Sequence, residues 1–192
     1  MPNDSCAARA HRRTDRDFFL SCSAASEQQI GNIRAGNEQE LQEALTVAEK
    51  KVARLAELGA DVVMIMGAPP TMVRGHGADR AIADSLTKKY KIPVTVATIA
   101  QVDAFRALGM KKLVGITYFQ DDMNHRFAKF LEDDGFEVKA MKGIEVPFKD
   151  AGKLSPEAIY GFAKKVFLEH GPADGIYMLG AGWHNLPVIE ML

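Results

Sequence analysis

Apolar side chains recur along this chain with two alternating periods, and the alternation predicts helices and strands in turn. Between residues 38 and 58 they are spaced three and four residues apart, which is the period of a helix with one buried stripe. Asn37 is a suitable N-cap for this helix, and Gly59 is a suitable end. Residues 61–67 then carry an uninterrupted apolar run, typical of a strand buried on both faces.

The same order of elements continues to the end of the chain. Further helices are predicted at 78–90, 101–108, 121–134 and 155–170 and from residue 185 onward, and strands at 17–23, 93–99, 112–118 and 175–179, with an extended stretch at 137–146. Helices and strands that alternate with short connections form βαβ units, hence a mostly parallel sheet with helices on both faces. Ligands bind such sheets beyond the carboxyl ends of the strands.

An internal repeat pairs two of these strand ends. Residues 60–68 read in parallel with residues 173–181, and Gly67 matches Gly180 at an offset of 113 residues. Duplication explains the match better than chance similarity of two buried strands, because the flanking residues also agree. We therefore predict an α/β protein of two pseudo-symmetric, flavodoxin-like parallel-sheet halves, with helices on both faces and a ligand site in the cleft between the halves.

The predicted domain organisation follows from the same pattern. A polar, basic tail at 1–16 precedes a first α/β half at 17–98 and a second at 99–192, whose last elements either return to the first half or are missing. The last predicted helix stops while its residues are still apolar, so a shortened reading frame is one expectation. Burial of the last apolar residues against a second subunit is the other, and it makes a homo-oligomer possible.

Composition excludes several classes of function. The 192 residues carry a net charge of −1, which gives no reason to expect nucleic acid or an anionic membrane surface as a partner. No apolar run reaches the roughly 20 residues that span a bilayer, and charges interrupt any signal sequence. The only cysteines, Cys6 and Cys22, are too few for a disulfide framework. We therefore expect a cytoplasmic protein.

Several short motifs together resemble the aspartate/glutamate racemase superfamily, in particular its arylmalonate decarboxylase and maleate isomerase branch. They cover roughly residues 35–190 and comprise Leu58-Gly59-Ala60-Asp61-Val62-Val63 with Met66-Gly67, Arg74-Gly75, Gly115-Ile116-Thr117-Tyr118 with Asn124 and Phe130-Leu131, and Gly175-Ile176 to Gly180. The resemblance implies two halves that enclose a small carboxylic acid, with no cofactor. It also implies thiols at the two matched strand ends, used for proton transfer or for attack on a double bond.

This chain departs from the family pattern at both of those positions. Gly67 stands at the first cysteine position, as in the decarboxylases, and Gly180 stands at the second. Glycine offers neither a proton nor a nucleophile. Where the decarboxylases follow the first glycine with hydroxyl residues that hold a carboxylate, this chain has Ala68 and Pro69, so that Thr71 is the nearest hydroxyl.

The remaining candidates lie at or near the matched strand ends. The catalytic candidates are His184 and Tyr118, and the substrate-binding candidates are Gly67, Ala68, Thr71, Arg74, Gly180, Ala181, Gly182 and Trp183. His184 has the side-chain type best suited to proton transfer near neutral pH, although an exposed residue flanking the last helix is the plainer interpretation. The resemblance implies that Tyr118 donates to a substrate carboxylate; a strand-end aromatic residue with a hydrated hydroxyl is the alternative.

The binding candidates also have plainer interpretations. Backbone N–H groups of residues 180–182, at the start of the last helix, could cradle an oxyanion, or their glycines could only permit a tight turn. Trp183 could line an aromatic substrate or pack between the halves. Arg74 could pair with a second substrate carboxylate or stay a solvated loop charge. His76 and His184 have no diagnostic spacing for a metal, so no metal site is predicted.

The function predicted from these residues is that of a decarboxylase or isomerase acting on a small mono- or dicarboxylic acid through a carbanion or enediolate. Two-base racemisation fits less well, because no matched acid and base are visible. A catalytically silent carboxylate-binding protein is the alternative from another class, and a flavodoxin-like nucleotide binder is a third. The sequence leaves the substrate and its stereochemistry open.

Overall fold

Helices and strands alternate along residues 38–180 and 182–192, which are the residues that the computed structural model describes. The helices are α1 (Glu38–Glu57), α2 (Pro69–Met72), α3 (Ala78–Tyr90), α4 (Ala97–Ala107), α5 (Asp121–Asp133), α6 (Pro156–His170) and α7 (Leu186–Ile189), with a 3₁₀ turn at Phe148–Lys153. The strands are β1 (Val63–Ile65), β2 (Val94–Val96), β3 (Lys112–Thr117), β4 (Glu137–Gly143) and β5 (Gly175–Met178). No helix among these residues is long and apolar enough to cross a membrane.

All strand pairs are parallel, and they form two sheets. β1 pairs with β2, and β3 lies between β4 and β5. Val63 lies opposite Val94 in the first sheet, and Val114 lies opposite Ala140 and Ile176 in the second. The predicted α/β class with parallel sheets and helices is confirmed, since a helix follows each strand but β4, where the 3₁₀ turn precedes α6.

Two buried clusters correspond to the two sheets. The smaller one, between α1, α3 and the first sheet, contains Val52, Val63, Leu86 and Val94. The larger one is centred on β3 and reaches from α5 and α6 to the end of β5. Ala68, directly after the first strand end, belongs to this larger cluster, so the chain beyond β1 packs on the core of the second sheet. The predicted boundary between residues 98 and 99 stays a prediction.

Several predicted element bounds hold closely. α3 covers the predicted residues 78–90, and Ser155 caps α6, its Oγ accepting from the N–H of Ala158 at 3.3 Å. Gly59, just beyond α1, has φ +78° and ends that helix as predicted. The predicted strand at 17–23 and the N-cap at Asn37 lie outside the described residues.

One strand prediction was wrong in its second half. The strand predicted at 93–99 ends at Val96, and the next three residues are the first turn of α4. Thr98 and Val102 are both buried at i, i+4 spacing on one face of that helix, which a run of short apolar residues does not reveal in sequence. The short helix α2 and the 3₁₀ turn were not predicted.

Candidate active site

The two matched strands end in the same backbone conformation. β1 and β5 each reach a glycine two residues after their last residue, and both glycines have positive φ, +103° at Gly67 and +126° at Gly180. Residues with a Cβ rarely adopt such angles. The internal repeat is therefore also a repeat in backbone geometry, and glycine at these positions has a conformational reason.

At the second strand end, Tyr118 lies across the backbone of Gly180 and Gly182. The N–H of Gly182 donates to the Tyr118 hydroxyl at 3.0 Å. A Cβ built on Gly180 would lie 2.3 Å from Cε1 of Tyr118 and 2.9 Å from its hydroxyl oxygen. The phenol thus fills the space that any side chain at position 180 would need.

Two further aromatic rings hold the phenol in this position. Phe119 stacks on Tyr118 with ring centroids 4.8 Å apart, and the ring of Trp183 meets it edge-on at 5.3 Å. Tyr118 is 6% exposed and Trp183 5% exposed. The hydroxyl therefore lies in a largely dehydrated, aromatic environment, in which hydrogen bonds to a developing charge are strong.

A buried asparagine fixes the loop that carries Tyr118. Asn124, on α5, is fully buried, accepts from the Thr117 hydroxyl at 2.6 Å and donates to the carbonyl of Phe119 at 2.9 Å. The Thr117 hydroxyl oxygen also accepts from the N–H of Phe119 at 3.0 Å. These bonds close a turn around Tyr118, so Asn124 positions the phenol without lying next to it in sequence.

The last helix begins beyond the residues predicted to form an oxyanion cradle. α7 begins at Leu186, so the amides of Gly180 and Gly182 precede its first turn by several residues. The amide of Gly182 faces Tyr118, and the side-chain N–H of Asn185 donates to the carbonyl of Gly180 at 3.1 Å. An oxyanion cradle formed by the amides at 180–182 therefore stays a prediction, with α7 beginning four residues after Gly182. Ala181 lies outside the described residues.

The first strand end is organised differently. The Thr71 hydroxyl donates to the carbonyl of Ala68 at 2.9 Å and lies 3.4 Å from the hydroxyl of Thr98. Thr98 donates to Oδ2 of Asp79 at 2.9 Å, and Asp79 is 4% exposed. The hydroxyl predicted to hold a substrate carboxylate is thus engaged with the protein's own groups. Among the described residues, no atom lies within 4 Å of a Cβ built on Gly67.

The structure also describes the surroundings of Arg74, His76 and His184. Arg74 lines a groove of about 360 Å³ between α1 and α3. His76 lies 3.7 Å from Asp134 and lines a separate polar cavity of about 460 Å³. His184 is exposed although its neighbour Trp183 is buried. Among the described residues, no three His, Cys, Asp or Glu side chains are placed to hold a metal ion.

Sequence reasoning did not assign a role to Asn124, Asp79 or Asn185. Asn124 had a usable signal, because it stands three residues before Phe127 on the apolar stripe of α5, where a polar residue needs an internal partner. Asp79 and Thr98 had no such signal in the sequence, because their hydrogen bond joins two different helices. Within the described residues, Nε1 of Trp183 and Oδ1 of Asn185 are buried without a hydrogen-bond partner.

The family model described as arylmalonate decarboxylase matches residues 31–192, which is most of the chain. The chain belongs to this family. The resemblance predicted from the sequence motifs is thereby confirmed.

Individual relatives come from both predicted branches. The arylmalonate decarboxylase of Bordetella bronchiseptica is 25% identical over 137 residues, 71% of this chain and 57% of the relative. The maleate isomerase of Alcaligenes faecalis is 26% identical over 161 residues, 80% of this chain and 63% of the relative. The chain thus spans about three-fifths of the length of these curated relatives.

A solved structure supports the fold. The maleate cis-trans isomerase of Nocardia farcinica, a cysteine-to-serine mutant with a covalently bound succinylcysteine intermediate, superposes with a TM-score of 0.73 at 18% identity. The match covers 83% of this chain and 67% of that one. At this identity the likeness carries the two-half α/β fold alone.

Proposed function

We propose that this protein is a cofactor-independent decarboxylase or isomerase that acts on a small mono- or dicarboxylic acid through a carbanion or enediolate. Membership of the arylmalonate decarboxylase family supports the reaction class. The names of the two curated relatives point to arylmalonates and maleate, which are dicarboxylic acids. One observation carries the proposal: the Tyr118 hydroxyl and the Gly182 amide meet 3.0 Å apart at the second strand end.

The Tyr118 hydroxyl, whose oxygen accepts from the Gly182 N–H, suits a carboxylate that gains negative charge during reaction. When a carbon–carboxyl bond breaks, its electron pair moves onto the α-carbon and into the remaining carboxyl group. Hydrogen-bond donors already oriented towards those oxygens stabilise this charge more than the ground state. Removing one such donor typically lowers kcat by about 10²–10³-fold.

The other predicted residues fit around this centre to different degrees. Trp183 and Ala68, which belong to one buried cluster, would form apolar walls for the substrate, with Gly67 next to Ala68 in the chain. His184 remains a proposed proton-transfer residue, since it is two residues from Gly182 and exposed to solvent. Arg74 stays a sequence prediction, because it lines the groove between α1 and α3.

Incubation in deuterated water tests the proposal. Phenylmalonate, maleate and a set of amino acids are each mixed with the protein, and products are followed by proton NMR. We expect loss of one carboxyl group or isomerisation of the double bond, with solvent deuterium at the α-carbon of a decarboxylated product. Protein unfolded in urea is the control. No turnover and no deuterium with any acid would remove the catalytic proposal.

The alternative is a carboxylate-binding protein without catalysis. The glycines at 67 and 180 favour it, because neither supplies a reacting group. Thermal unfolding with malonate, maleate and nucleotides separates the possibilities. A rise in Tm with dicarboxylates and no turnover supports the silent binder, whereas a rise with nucleotides alone supports a nucleotide-binding protein.

A further inference from the structure

We propose that the Tyr118 hydroxyl is the proton donor of the second strand end, and that glycines at 180 and 182 exist to let it lie there. The inference rests on the proposed function and assigns its proton-transfer step to one atom, Oη of Tyr118. It replaces the earlier candidate, His184, by a buried group.

The close approach of the phenol to the backbone is the first argument. Cβ atoms built on Gly180 and on Gly182 would each lie 2.9 Å from the Tyr118 hydroxyl oxygen, closer than real Cβ contacts. At Gly180 the ring carbons are nearer still, at 2.3 and 2.7 Å. Side chains at either position would push the phenol away, so both glycines keep the hydroxyl over the loop.

The second argument is the state of the other hydrogen-bearing side chains at this strand end. The Thr117 hydroxyl donates to Asn124, and the amide of Asn185 donates to the carbonyl of Gly180. Trp183 has an indole N–H, which is far too weak an acid to give up its proton. His184 is exposed, where water competes with a substrate for its ring. Tyr118 is the buried acid among them.

The proton transfer balances without any additional reactant. Loss of carbon dioxide leaves the electron pair of the broken C–C bond on the α-carbon. That pair takes the proton of the Tyr118 hydroxyl, so a C–H bond forms and the O–H bond breaks. The N–H of Gly182, 3.0 Å away, stabilises the phenolate that remains. Water then returns a proton to the phenolate and completes the cycle.

The aromatic packing supplies the orientation that such a donor requires. Phe119 and Trp183 contact the ring on different sides, and Asn124 holds the loop on which Tyr118 lies. A donor held in one position by its surroundings transfers its proton without first being ordered. An exposed histidine has no comparable support.

Removal of the hydroxyl alone tests the inference. Turnover of phenylmalonate is compared in the native protein, Tyr118→Phe and Tyr160→Phe. Tyr160 lies on α6 and is packed against the same core, so it controls for a tyrosine-to-phenylalanine change elsewhere. We expect kcat to fall by about 10²–10⁴-fold in Tyr118→Phe, the usual contribution of a positioned acid, and to change less than about twofold in Tyr160→Phe. Circular dichroism checks that each variant is folded.

Two other results overturn the inference while leaving the proposed function intact. One is a native protein that turns over phenylmalonate together with an equally active Tyr118→Phe. The other is a His184→Gln variant that loses more activity than Tyr118→Phe. Either result would show that decarboxylation proceeds with another proton donor.

Absence of turnover in the native protein would contradict the proposed function and remove the proton-transfer step with it. The fluorescence of Trp183, the only tryptophan of the chain, then reports binding of phenylmalonate beside Tyr118. An affinity at least tenfold weaker in Tyr118→Phe would reduce the hydroxyl to a binding group. Equal affinities, or no binding at all, would exclude it from the site.

Discussion

Gly67 and Gly180 are equivalent in the internal repeat, yet opposite in what surrounds them. Both follow a parallel strand by two residues and both have positive φ. Within residues 38–180 and 182–192, no atom lies within 4 Å of a Cβ built on Gly67, whereas one built on Gly180 would overlap the ring of Tyr118. The described residues thus leave the space beside the first glycine open, and a phenol occupies the space beside the second.

The polar groups near the two strand ends differ in the same sense. At the first, the hydroxyls of Thr71 and Thr98 are directed towards a backbone carbonyl and the buried carboxylate of Asp79. At the second, a phenol oxygen meets a backbone amide between two glycines. At the first strand end the polar side chains bond to other groups inside the protein. At the second, the phenol hydroxyl lies beside the backbone of Gly180 and Gly182. The two strand ends therefore share a glycine with positive φ, and the function is proposed to reside at the second.

Replacing each of the two glycines with alanine should give the largest difference in stability between the two strand ends. In Gly180→Ala, we expect the free energy of unfolding to fall by about 2–4 kcal/mol, because backbone strain adds to overpacking against Tyr118. In Gly67→Ala we expect about 1 kcal/mol, since the added methyl group meets no atom of the described part of the chain and only the strain remains. Urea denaturation measures both.

A combined variant separates the two contributions. Tyr118→Ala with Gly180→Ala should be less destabilised than the sum of the single changes, since the ring is then absent. The same pairing with Gly67→Ala should be additive. Equal losses in the two glycine variants would contradict the described packing of the phenol.

Asn124→Ala should give the next largest loss of stability. It leaves the buried Thr117 hydroxyl and the Phe119 carbonyl without their partner, and such losses lower the free energy of unfolding by about 1–3 kcal/mol. His125→Ala, an exposed neighbour on α5, is the control and should change stability by less than about 0.5 kcal/mol. Trp183 fluorescence should shift in the first variant alone, because Tyr118 moves. An unshifted spectrum would argue against the positioning role of Asn124.

Thr98→Val concerns the first strand end. Asp79 loses its buried hydroxyl donor, and we expect a destabilisation of about 1–2 kcal/mol by urea denaturation. Thr95→Val, a half-buried threonine on β2, is the matched control and should be close to neutral. Because these hydroxyls serve the interior, the remaining folded protein should keep its kcat. A large fall in kcat would assign the first strand end a direct part in the reaction.

The sequence predicted the parts of this comparison that depend on local patterns. The strand-ending glycines, α3 and the cap of α6 each follow from residues that are close in the chain. The phenol over Gly180 joins positions 62 residues apart, and the Asp79–Thr98 bond joins two helices. Such contacts depend on how the elements pack, which periodicity does not encode. The substrate-binding role of Thr71 stays a prediction, and its contacts with Ala68 and Thr98 likewise depend on how the elements pack.

The repeat contains a second matched pair, Asp61 and Asp174. Substitutions at these two positions should show the smallest difference in stability. The backbone N–H groups of Lys112 and Lys111 donate to Asp174 at 2.7 Å and hold the pKa of its carboxyl below the usual range. Within the described residues, the Asp61 side chain makes no hydrogen bond. Asp174→Asn should therefore lower the urea midpoint at pH 7 more than Asp61→Asn.

The pH dependence of the urea midpoint tests whether the charge of Asp174 causes this difference in stability. A carboxyl whose pKa is lowered by folding stabilises the protein above its unfolded pKa of about 3.9, and this stabilisation is lost as the pH falls through the lowered value. The midpoints of native protein and Asp174→Asn should thus converge between pH 5 and pH 2, whereas those of Asp61→Asn should follow the native protein throughout. A gap for Asp174→Asn that stays constant with pH would mean that the side chain acts through its shape, and that charge at this turn contributes nothing to the second half.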